Sequence, residues 1–110
     1  MKKFVLLVLI LITGLTVFSQ GIEFQKGRYA EVLEMAKKQN KLVFIDIYTS
    51  WCGPCKHMAD NVFPQAKVGE YYNAHFLNLK LDAEKSEDGK MVAKTFGVSA
   101  YPTFLFVNGD

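Results

Sequence analysis

LVFIDIYTSWCGPC, running from Leu42 to Cys55, is the stretch that decides the architecture. Leu42-Val43-Phe44-Ile45 is a continuous apolar run, which suits a strand covered on both faces, and the strand is predicted to continue through Asp46, Ile47 and Tyr48. Thr49-Ser50 leads into Trp51-Cys52-Gly53-Pro54-Cys55. The residues after it, Lys56 to Val62, read as helical until Pro64 breaks or kinks the helix. A strand that hands over to a helix through two cysteines is a place for chemistry as well as for folding.

On the N-terminal side, Gly27 to Asn40 carries Tyr29, Val32, Leu33 and Ala36 at helical spacing with charges between them. On the C-terminal side a second helical piece is predicted from Gln65 to about Ala74, burying Val68, Tyr71 and Tyr72. Phe76 to Leu81 alternates as a strand, and Asp82 to Lys90 is a charged connection. Met91, Val92, Thr95 and Phe96 form a short amphipathic helix ended by Gly97. Tyr101-Pro102-Thr103 opens a last strand, Phe104 to Val107, and Asn108-Gly109 is a hairpin-turn signal. Helices alternating with strands in this order predict an α/β layer arrangement with a largely parallel central sheet. A hairpin turn one residue before the last residue suggests that the final strand and helix are missing.

The first residues read differently. Lys2 and Lys3 precede the unbroken apolar run Phe4 to Ile12, which Thr13, Gly14 and Thr16 dilute before Ser19. That is the form of a signal peptide over residues 1–19, leaving residues 20–110 as one domain. The alternative is an uncleaved anchor, but Phe4 to Phe18 falls short of the roughly 20 residues that span a bilayer. No cysteine near the cleavage point supports a lipid anchor. Export to a periplasmic or other extracytoplasmic compartment is expected, with no stable membrane insertion once the signal is removed.

Half of the 110 residues are apolar and 14% are aromatic, enough for a core and against disorder. Of the thirteen basic residues, Lys2 and Lys3 leave with the signal, so eleven bases face eleven acids in the remainder. A neutral domain with lysines scattered among acids lacks the basic footprint of a nucleic-acid binder.

The two cysteines carry the functional reading. A small exported domain stapled by disulfides normally has four or more, widely spaced, and a Cys52–Cys55 bridge closes too short a loop to constrain the unfolded chain much. The pair is placed for reactivity. A thiol attacks a disulfide as thiolate, and the start of a helix stabilises that thiolate through free N–H groups and the helix dipole. A second thiol one turn on resolves the mixed disulfide. Gly53 permits the tight entry and Pro54 is tolerated in the first helical turn.

Asp46, within an otherwise apolar strand, is either a buried proton donor and acceptor or a solvated strand-edge acid. Trp51 either shields the sulfurs or fills the core. Pro102 sits where a cis bond can occur. Cys52, Cys55, His57 and His75 could in principle ligate zinc. The proline between the cysteines, the preceding tryptophan and the α/β pattern speak against a metal, and His57 is expected to face solvent.

Trp51-Cys52-Gly53-Pro54-Cys55-Lys56 resembles the active-site motif of the thioredoxin family, with Asp46 at the family's buried-acid position and Tyr101-Pro102-Thr103 at its cis-proline position. The resemblance covers Gly27 to Asp110. The helix before the first strand and the Cys-Lys-x-Met pattern are most similar to exported single-domain members and to the thioredoxin-like domain of membrane electron carriers.

The resemblance implies a thioredoxin fold, with a central mixed sheet flanked by helices and without the final strand and C-terminal helix. It implies that Cys52 is the exposed nucleophile and Cys55 the buried resolving thiol. Asp46 would move protons for Cys55, and a cis Pro102 would present the backbone of Tyr101 to an extended substrate segment. The expected activity is protein-disulfide reduction, needing no cofactor and no metal, with protein thiols and disulfides as partners and a membrane protein as electron donor. Oxidase or isomerase activity, or a non-catalytic binding or chaperone module, is the alternative. One departure concerns charge: the family's lysine near the buried acid is replaced by Asn78, with Lys80 two residues on facing the same side.

Overall fold

In a computed structural model of the chain, residues 20–110 are described; the expected signal segment lies outside them. The first helix, α1 (Tyr29–Gln39), buries Val32 and Ala36 along one stripe. Its first turn is capped from far along the chain: the Tyr29 N–H donates to Asp88 Oδ2 at 2.9 Å, and the Arg28 guanidinium donates to both oxygens of the same carboxylate. At its other end Asn40 takes the left-handed conformation (φ 53°, ψ 46°), and the Lys41 N–H closes onto the Ala36 carbonyl. Asparagine adopts that backbone more readily than most residues because its short polar side chain can hydrogen-bond locally.

Strand β1 (Leu42–Tyr48) follows and is the middle of the sheet. It pairs in parallel with β2 (Phe76–Asp82) and antiparallel with β3 (Thr103–Val107), so the order is β2-β1-β3 and the sheet is mixed. Alternation predicts parallel neighbours only where a helix crosses over between strands. β3, reached through the loop at Pro102, runs antiparallel to β1 instead. Five consecutive residues, Val43 to Ile47, are buried because both faces of β1 are covered. Val43, Ile45 and Ile47 pack with Val32, Ala36 and Val92 on one side. Phe44 lies against Phe63, Tyr72, Phe104 and Phe106 on the other.

After β1 come α2 (Gly53–His57), a π-helical turn over Met58–Val62, and α3 (Ala66–His75). The predicted single helix up to Pro64 is therefore interrupted. The Phe63 N–H bonds the Met58 carbonyl at 2.9 Å, which inserts one extra residue per turn. Phe63, at its end, is buried against Phe24 and Phe44.

In α3 the expected burial of Tyr71 fails: it is 56% exposed, stacked on His75, and the buried position is Gly69. A Cβ at Gly69 would run into the backbone of Gly21, so the helix approaches the N-terminal segment by its smallest residue. The last helix, α4 (Glu87–Thr95), begins four residues before the predicted Met91, because Ser86 Oγ accepts the Gly89 N–H at 2.8 Å and acts as an N-cap. Asn108 and Gly109 follow β3 as irregular backbone, and no further strand occurs among the described residues.

Candidate active site

β1 delivers the chain to its upper end at Tyr48, and the turn Thr49–Trp51 sets Cys52 at the N-cap of α2 with extended backbone (φ −80°, ψ 111°). Cys52 and Cys55 are disulfide-bonded, with Cα atoms 5.3 Å apart. Cys52 Sγ accepts the Cys55 N–H at 3.1 Å, and the Lys56 N–H bonds the Cys52 carbonyl at 3.2 Å. An N–H aimed at the sulfur favours negative charge there once the bond opens. Pro54 occupies the first helical turn, where its missing donor costs no hydrogen bond.

The two cysteines are almost equally covered, with Cys52 5% and Cys55 4% exposed. The expected contrast between an exposed and a buried thiol is thus absent in the disulfide form, where the bridge holds both residues against the turn.

Asp46 is 1% exposed, which removes the reading of a solvated strand-edge acid. Burial pushes its carboxyl up to about 6, and the positive charge of Lys80 holds it from rising further. One of its oxygens has no hydrogen-bond partner among the described residues. Lys80 stands opposite Asp46 in the parallel register, with its ammonium over the rings of Tyr48 at 5.0 Å and Phe24 at 5.4 Å. Asn78 instead faces Phe44 in register, and its amide donates to the Tyr72 carbonyl and to Asn73 Oδ1. A cavity of about 170 Å³ opens beside the pair, lined by Thr49, Cys52, Cys55, Lys56 and Lys80.

Trp51 lies outside the core, 68% exposed, with its Nε1–H donating to Glu84 Oε1 at 2.7 Å and its ring edge-on to Tyr101. The Tyr101–Pro102 bond is cis. Gly53 and Pro54 are exposed between the cysteines. The structure thus gathers Trp51, Cys52, Gly53, Pro54, Cys55 and Tyr101 at one end of the sheet. His57 pairs with Asn61 on the outer side of the helix and His75 stacks on Tyr71, so neither joins the cysteines. No group of three or more metal-ligating side chains occurs among the described residues. No local signal in the sequence marks Glu84, a glutamate within a charged connection.

The family model described as Thioredoxin matches residues 22–110. The chain belongs to the thioredoxin family. Thioredoxin H2-1 of Oryza sativa subsp. japonica is 39% identical over 84 residues, covering 76% of this chain and 56% of that protein. The thioredoxin of Echinococcus granulosus is 38% identical over 80 residues, 72% of this chain and 68% of its own length. Among solved structures, a candidate disulphide-isomerase from Bacteroides thetaiotaomicron is 46% identical, with a TM-score of 0.70 over 83% of this chain and 74% of that one. The chain spans just over half the length of the rice protein. This thioredoxin-family chain therefore has the family's fold, with the cysteine pair of its motif closed as a disulfide.

Proposed function

We propose that the protein is an exported protein-disulfide reductase working through Cys52 and Cys55. The observation that carries this is the arrangement behind the pair. Cys52 Sγ receives an N–H from Cys55, and the strand feeding the motif holds a buried carboxyl that titrates near 6. One group favours a thiolate nucleophile, and the other takes up a proton near neutral pH.

In the reducing direction the Cys52 thiolate attacks one sulfur of a substrate disulfide. A bond forms between Cys52 and the substrate, the substrate S–S bond breaks, and the departing sulfur leaves as thiolate and is protonated. Cys55, giving its proton to Asp46, then attacks the Cys52 sulfur. The intramolecular disulfide forms and the second substrate sulfur leaves, so two electrons have passed to the substrate. A donor dithiol reverses these steps on the enzyme.

The start of the chain, Lys2-Lys3 followed by Phe4 to Ile12, supports export, and an exported reductase needs electrons from a membrane-bound dithiol carrier. Gly53-Pro54 between the cysteines, with no histidine there, supports the reducing direction. Isomerase or oxidase activity is the second reading, and the likeness to the candidate disulphide-isomerase of Bacteroides thetaiotaomicron favours the isomerase.

Equilibration of the Cys52–Cys55 pair against glutathione separates the readings. A potential near about −270 mV, like that of thioredoxin, supports the reductase, and one of about −120 to −180 mV replaces it with the oxidase or isomerase.

A further inference from the structure

Ser19 is the small residue at the expected signal cut, and Gln20 follows it. The fixed part of the chain begins one residue later. Gly21 lies so close to Gly69 of α3 that a Cβ on Gly69 would strike the Gly21 backbone. The Gly21 carbonyl accepts from Asn73 Nδ2 at 3.0 Å, and the Ile22 N–H donates to the Phe63 carbonyl at 2.8 Å. The Glu23 N–H donates to Asn73 Oδ1 at 2.9 Å. Gln20 itself is exposed, and it lines a cavity of about 470 Å³ together with Ile22, Phe24, Phe63, Pro64 and Lys80.

A cut after Ser19 makes Gln20 the first residue, with its α-amine and its side-chain amide on one residue, spaced to close a lactam. The amine nitrogen attacks Cδ and a new C–N bond forms. The bond from Cδ to the amide nitrogen breaks, and that nitrogen takes the proton given up by the amine and leaves as ammonia. Nothing is oxidised or reduced.

The ring removes the terminal positive charge. That loss suits this position, because the fixed Gly21 keeps the new terminus at the cavity. Its lining side chains are mostly apolar, and the charged one among them is the Lys80 ammonium. A second cation brought there gives up hydration and meets like charge, whereas a neutral lactam does neither.

We propose that Gln20 is a modification site: once the leader is removed it closes to pyroglutamate, so that the exported chain starts with a neutral lactam at the cavity lined by Lys80. The proposal rests on the export reading.

The full chain is expressed with its own leader, and the exported form is incubated with a glutaminyl cyclase. The product should have the mass of residues 20–110 less one ammonia, and Edman degradation should be blocked. Pyroglutamyl aminopeptidase should then remove one residue and open the sequence at Gly21-Ile22. Gln20→Ala should keep an open terminus under the same treatment. At about pH 6, where an α-amine is charged, the cyclised form should have a higher urea midpoint than the open form. The gap should close at about pH 9, where the amine is neutral.

A chain that retains residues 1–19 sinks the export reading. Removal of those residues with Gln20 still open after incubation, or a cut at another bond, overturns this proposal alone. Equal urea midpoints at about pH 6 would likewise overturn the seat assigned to the lactam.

Discussion

Asp46 of β1 and Lys80 of β2 are direct partners across the parallel pair, so the buried carboxyl has its compensating cation on the neighbouring strand. The ammonium does not form an ion pair with it. It rests over Tyr48 and Phe24 and lines the cavity beside the cysteines, from where it acts on Asp46 through space. The other charged group facing that cavity is Lys56.

The first prediction concerns stability and pH. The folded state holds the Asp46 proton more tightly than the unfolded chain, since burial lifts its pKa from 3.8 to about 6. The stability it contributes is fully present below about pH 4 and is lost as pH rises through about 6. Asp46→Asn removes that loss. In urea unfolding of the disulfide form, its stability relative to the unsubstituted protein should be greater at pH 8 than at pH 4 by on the order of 3 kcal/mol. An equal difference at the two pH values would show that Asp46 does not titrate in this way.

A second prediction follows from Lys80. Lys80→Met removes the positive charge while keeping an unbranched side chain of similar length, so burial acts on Asp46 unopposed. The Asp46 titration, followed by carboxyl NMR, should move upward from about 6. A downward or absent shift would leave Asn78 and its neighbours as the only tuning groups on β2.

For the cysteines the expected outcomes are asymmetric. Cys52→Ser should abolish insulin reduction, whereas Cys55→Ser should trap the substrate as a stable mixed disulfide on Cys52, visible by mass spectrometry under non-reducing conditions. Trapping on Cys55 in the Cys52→Ser variant instead would reverse the assigned roles.

Gly89 tests how α4 is seated. A Cβ there would overlap the carbonyl of Asp82, the residue that orients Glu84. Gly89→Ala should therefore destabilise the protein by roughly 1–3 kcal/mol, the usual range for overpacking, despite the better helix propensity of alanine. A rise in the urea midpoint would mean that β2 and α4 separate at little cost.

Much of the fold was legible in particular residues. The apolar run Leu42 to Ile45 marked the central strand, the Val32 and Ala36 spacing marked the buried face of α1, and Gly53-Pro54 marked a helix start. The failures are equally specific. A helix from Gln65 that buries Val68 and Tyr72 puts Tyr71 inside as well, but the close approach of α3 to Gly21 falls at Gly69, and Tyr71 lies outside. The charges from Asp82 to Lys90 read as a connection, which puts the start of α4 at Met91. In the fold Glu87 and Asp88 form a first helical turn behind the Ser86 cap, where acidic residues complement the helix dipole.

The sequence by itself determined the chemistry: two thiols three residues apart at a strand-to-helix junction, and the order of elements around them. Such features are local, because hydrophobic periodicity and turn-forming residues act over a few positions. Tertiary structure alone decided that Asp46 is buried, that Lys80 is its partner on β2, and that Asp88 caps α1. It also decided that Glu84, 33 residues from Trp51, holds the indole. Each of these depends on strand pairing and helix docking between distant segments. The desolvation and hydrogen bonds that give those side chains their properties do not exist until the sheet has formed.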